Sequence, residues 1–135
     1  MLKNINQAII WAAGFLEGDG CFQLTTGRHL RITAVQVNPE PIADLVRWFG
    51  GAVNHHTPKD KNRNGVYRWQ LTRHDGAALM MTVYSFMSEK RKSQIRKCLK
   101  VWRTVRGNRQ QKKEYKEQCK CWRANRVKLA ITAAD

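Results

Sequence analysis

Ala12-Ala13-Gly14-Phe15-Leu16-Glu17-Gly18-Asp19-Gly20 sets two acids among glycines spaced four apart. In a helix, Gly14 and Gly18 share one face, on which a second helix can approach to near backbone contact. Each glycine costs roughly 1 kcal/mol relative to alanine in a helix interior, so close packing is a physical reason for both. Glu17 and Asp19 fall at the helix end where the dipole disfavours carboxylates, and an acid kept there despite that cost points to a cation. If the close neighbour is the same helix of a second subunit, two-fold symmetry brings two copies of Asp19 together, and divalent metal relieves their repulsion. Paired oxygen-ligated metals suit in-line attack on a phosphodiester, and hard carboxylate donors favour magnesium. Upstream, Ile9, Ile10, Trp11, Phe15 and Leu16 make the stretch from Gln7 to Gly18 apolar on almost every side. A helix buried all round is expected, capped by Asn6 and ended by Gly18 or Gly20.

Downstream, Cys21 to Thr26 alternates, and His29 to Val37 follows Gly27-Arg28 as a second β-rich run, the pattern of a hairpin. Asn38-Pro39 opens a helix with Ile42, Leu45, Val46 and Phe49 at helical spacing, stopped by Gly50-Gly51. Val53 to Thr57, a charged loop and the alternating Val66 to Thr72 predict a second hairpin. Helices follow over Asp75 to Met87, over Glu89 to Val105 before Gly107, and over roughly Gln110 to Lys128. The last places Tyr115, Cys119, Trp122 and Leu129 on one stripe. The reading is one α+β domain over 1–135, with a core of about 1–100 and a basic helical extension of about 101–135.

Charge separates these parts. Residues 1–89 carry nine basic and seven acidic groups, whereas residues 90–128 carry sixteen and two, within a formal charge of +15 over 135 residues. With 42% hydrophobic residues this is a folded domain with a polyanionic partner, not a disordered tail. No apolar run reaches eighteen residues, so no membrane partner is expected. The N-terminus lacks a signal-peptidase site, which predicts mature structure in a cytosolic setting. Four unevenly spaced cysteines form no disulfide framework, and His55-His56 with Cys119 and Cys121 lack zinc-site spacing.

With these elements in place, the chain resembles the LAGLIDADG homing endonucleases of the single-motif branch. Ala13, Gly14, Asp19 and Gly20 coincide with the signature, Glu17 takes its first acidic position, and Ala12 stands where leucine is usual. The resemblance implies an αββαββα core with an antiparallel DNA-binding saddle sheet. It implies a homodimer joined through the motif helices at Ala13, Gly14, Glu17 and Gly18. Site-specific double-strand cleavage of a long, near-palindromic DNA target follows, as in intron homing. Asp19 takes the metal-binding catalytic position, with the Gly18 carbonyl as accompanying ligand to magnesium; calcium binds without supporting cleavage. Lys90, by its spacing from Phe86, supplies the basic residue near the scissile phosphate, with Lys92 as second choice. Gln36 or Asn38 takes the water-positioning place.

Strand alternation assigns Gln23, Thr25, Arg68, Gln70 and Thr72 to a base-reading face, joined by Arg28 and Arg31, with Lys92 as a further DNA contact. In the second strand both phases carry apolar residues, and a bulge near Ala34 is one resolution. Expected partners are double-stranded DNA and a second copy of the chain. The rival readings are an RNA-splicing maturase, with intron RNA as ligand, and a non-cleaving DNA-binding regulator. The setting is then a bacterial or phage-infected cytoplasm at the nucleoid, or an organelle matrix.

Overall fold

The computed structural model describes residues 1–134 along the backbone and side chains through residue 121. Helix α1 (Ile5–Asp19) runs directly into β1 (Gly20–Thr25), followed by β2 (His29–Gln36), α2 (Pro39–Phe49), β3 (Ala52–His56) and β4 (Val66–Thr72). Helix α3 (Arg73–Val83), a 3-10 turn over Tyr84–Phe86 and α4 (Glu89–Ala134) complete the chain. The sheet is antiparallel in the order β1-β2-β4-β3, so each hairpin contributes one central and one edge strand. The architecture is α+β, as the element order predicts.

Residues of alternate phase divide the two faces. Phe22, Leu30, Ile32, Ala34, Trp69 and Leu71 are buried, and α1, α2 and α3 cover them. This settles β2: Leu30, Ile32 and Ala34 face the helices, and Val35 lies outside. Pairing with both neighbours is continuous through Ala34, so the two phases are resolved without a bulge there. Trp69 is fully buried and its indole N–H donates to the Gly50 carbonyl at 2.8 Å, tying the end of α2 to the sheet.

Several boundaries differ from expectation. Asn4, not Asn6, caps α1, accepting from the Gln7 N–H. Only one side of α1 is buried, through Ala8, Ala12, Ala13 and Leu16; Ile10 is 61% exposed, so the helix is not enclosed within a single chain. The helix expected to reach Met87 ends at Val83. The two basic helices are one, because a lone glycine at Gly107 weakens a helix without ending it. Residues 1–102 form one compact unit and residues 103–135 another. Of the stripe read from Tyr115 to Leu129, the side chains of Trp122 and Leu129 lie outside the described residues. Among the described residues no helix is long and apolar enough to cross a membrane.

The junction of α1 and β1 has no connecting residue. Gly20 is both the C-cap, donating its N–H to the Leu16 carbonyl, and the first residue of β1. A Cβ there would stand 2.6 Å from the Leu16 oxygen and 2.8 Å from its Cα, with backbone on the other side of the clash. Gly20→Ala is therefore expected to destabilise the fold by about 2 kcal/mol or more, measured by urea unfolding.

Candidate nuclease site and nucleic-acid interface

Asp19 is the last residue of α1, and its position follows from the strand register. Gly20 pairs with Ala34, so Gln36, two residues further along β2 and on the helix-covered face, extends past the start of β1 toward the helix end. There its Nε2 donates to Asp19 Oδ2 at 2.8 Å. Asp19 is exposed and enters no ion pair among the described residues. Asn38, the alternative to Gln36, is committed elsewhere: its side chain accepts from the Glu40 N–H and caps α2.

Glu17 faces α4. Its Oε2 accepts from the Ser88 N–H at 3.0 Å, and its backbone carbonyl accepts from Arg91 Nε and Nη2 at 3.2 and 3.0 Å. A cationic fork thus satisfies a carbonyl that the end of α1 leaves without an intrahelical partner. Hydrogen bonds from the Ser88 side chain and backbone hold the Glu17 carboxyl below the ordinary carboxylate range, with the charges of Arg91 and Lys90 adding to the effect. Glu17 therefore staples two elements within one chain. Ser88 and Arg91 escaped the sequence reading; their signal was a serine followed three residues later by a cation at the start of α4. Arg91 is further held by Gln94, accepting at 3.1 Å.

On the exposed side of α1 lie Gln7, Ile10, Gly14 and Gly18, and a Cβ at either glycine would meet nothing within 4 Å. Close packing, the physical reason for the two glycines, is thus absent among the described residues. Ala13, expected on this face, is instead 3% exposed and packed in the chain's own core, one helical step away from the stripe.

The outer face of the sheet presents cross-strand rows Gln23–Arg31–Thr72, Cys21–Thr33–Gln70–Ala52 and Val35–Arg68–Asn54. Arg68 and Thr72 are exposed, Gln23, Thr25, Arg31 and Gln70 half-buried, and Arg28 stands exposed in the turn formed by Thr26 and Gly27, both at positive φ. With its amide oxygen turned toward β2, Gln23 accepts from Arg31 Nε and Nη2 at 3.2 and 3.0 Å. The alternation thus places all six strand residues together; Thr33 and Asn54 share the face but required the register to be found. Lys90 is exposed in the first turn of α4. Lys92 departs from the sheet group, its ammonium 5.6 Å from the Tyr84 ring centroid.

The sequence matches no protein-family model and no curated protein. Among solved structures, it is similar to the homing endonuclease I-CvuI in complex with the I-CreI target, a structure in 2 mM Mg with the DNA not cleaved. The chain shares the fold of a homing endonuclease. The TM-score is 0.52 at 15% identity, over 72% of this chain and 67% of that one.

Two outcomes check the clasp at the end of α1. Arg91→Leu, which leaves the Glu17 carbonyl unpaired, is expected to cost about 1–3 kcal/mol in urea unfolding. Because the Glu17 pKa is lowered in the folded state, its contribution is present at neutral pH and disappears as pH falls through and below the ordinary carboxylate range. Glu17→Gln should lower stability at neutral pH and show a flatter acid limb in thermal melts recorded against pH.

Proposed function

We propose that the protein is a homodimeric, magnesium-dependent endonuclease that cuts both strands of a long, near-palindromic DNA target, the chemistry of intron homing. The observation that carries this reading is the exposed Asp19 carboxylate, held by Gln36 at the foot of the open Gly14–Gly18 stripe. The shared fold with a DNA-bound homing endonuclease supports it.

The donor set suits the metal. Asp19 and the adjacent Gly18 carbonyl are hard oxygen donors at a helix end. No group of three or more ligating side chains occurs among the described residues, so one chain offers only part of a site. A second copy on the glycine stripe completes it in this reading. When bound, magnesium supplies charge stabilisation at the phosphodiester oxygens and a more acidic water.

The remaining chemistry belongs to the chain. Gln36 fixes the Asp19 rotamer and presents its amide to water beside it. The Arg91 fork on the preceding carbonyl sets the height of Gly18 and Asp19 relative to α4. Lys90 offers a cation to phosphate. The outer sheet face presents Arg and Gln side chains, the types that pair with guanine and adenine edges in a major groove wide enough for a β-ribbon.

Incubation with magnesium and a random-duplex library, followed by sequencing of new ends, tests the reaction. Discrete ends at a near-palindromic site are expected from the native chain. Asp19→Asn should lower cleavage by at least about 100-fold with DNA binding retained; cleavage by that variant at the native rate removes the assignment, and binding without cleavage by the native chain favours a regulator. Gly18→Leu tests the pairing. It is expected to convert a dimer to a monomer in sedimentation velocity while the monomer stays folded, since a side chain there meets open space within the chain.

A further inference from the structure

The second compact unit, residues 103–135, carries ten basic and three acidic residues. Arg109, Lys113, Lys116 and Lys120 recur at intervals of four, three and four, which sets them on one side of α4. All four are exposed. Lys120 pairs with Glu117 at 3.4 Å, an exposed contact worth little in water, and the other three enter no ion pair among the described residues. Like charges at these spacings repel and each pair destabilises the helix by a few tenths of a kcal/mol. Among the described residues only the exposed Lys120–Glu117 contact offsets that cost, so a polyanion outside the chain is the physical reason for the stripe.

We propose that this stripe is a binding surface for the phosphate backbone of double-stranded DNA, independent of base sequence. The inference rests on the nuclease reading for its choice of nucleic acid. At 1.5 Å per residue the stripe extends about 16 Å, a length along which a duplex carries roughly ten phosphates. Three of the four cations are lysines, compact charges that neutralise phosphate without the planar fork that reads guanine. An anionic membrane would require an apolar opposite side. Beside Tyr115 and Cys119 that side carries the exposed Gln111 and Gln118, which interrupt any apolar face.

The test is the salt dependence of binding to a duplex of unrelated sequence, measured by fluorescence anisotropy in EDTA so that no target and no cleavage enter. Each phosphate contact steepens the plot of log K against log salt by about 0.9. The Arg109→Gln, Lys113→Gln, Lys116→Gln, Lys120→Gln variant should reduce the slope by roughly 3 to 4 per bound chain, since four contacts are lost. Glutamine preserves helix propensity, and circular dichroism confirms the helix. A Lys113→Arg, Lys116→Arg, Lys120→Arg variant should keep the native slope, because charge and not packing is at work. A slope that the glutamine variant leaves unchanged overturns the inference, as does a loss confined to RNA. Failure of Asp19→Asn to abolish cleavage overturns only the catalytic assignment, because the binding slope is read without it.

Discussion

The direct passage of α1 into β1 governs the rest of the molecule. Without a connecting residue, the orientation of the helix determines that of the first strand, and only glycine fits where the chain turns against the Leu16 backbone. Asp19 is therefore not on a loop. It is held between a helix packed into the core and a strand with every pairing partner in register. Its backbone position is thus fixed by two elements, which the proposed role of Asp19 in holding metal and phosphate requires.

Three independent interactions converge on this junction. Gln36 reaches it from the end of β2, Arg91 and Ser88 from the start of α4, and Ala12, Ala13 and Leu16 anchor it in the core. They divide the labour between the two acids of the motif. Glu17, with its lowered pKa and its partners Ser88, just before α4, and Arg91, on α4, clasps two elements, while among the described residues the exposed Asp19 carboxylate is hydrogen-bonded by the Gln36 amide alone. Among the described residues Asp19 enters no ion pair, and the neutral amide that holds it leaves its charge available to the cation of the proposed function.

The same helix shows how one element serves two surfaces. Its small residues at Ala8, Ala12 and Ala13 allow close approach to the chain's own core, and Gly14 and Gly18 leave an equally low surface on the other side. The sheet is likewise two-faced: apolar residues under the helices, and rows of Gln, Arg and Thr outside. Charge is segregated again along the chain, since residues 1–89 are nearly balanced and the long C-terminal helix carries most of the excess. Base-reading chemistry and sequence-independent phosphate attraction thus occupy different segments in the proposed function.

Periodicity and punctuation alone determined the element order, because alternation in β4 and helical spacing after Asn38-Pro39 are local patterns that any fold must respect. The nonapeptide likewise announced a helix end bearing Asp19. What only the tertiary structure decided were the relations between distant segments. Both phases of β2 carried apolar residues, and burial under the helices chose Leu30, Ile32 and Ala34. Gln36 and Asn38 were equivalent candidates until one met Asp19 and the other capped α2. Ala13 and Gly14 are neighbours in sequence, yet a rotation of about 100° per residue sends one to the core and the other to the surface. The Arg91 clasp joins residues 74 positions apart, a distance over which no local pattern carries information and only the packed chain can bring the partners together.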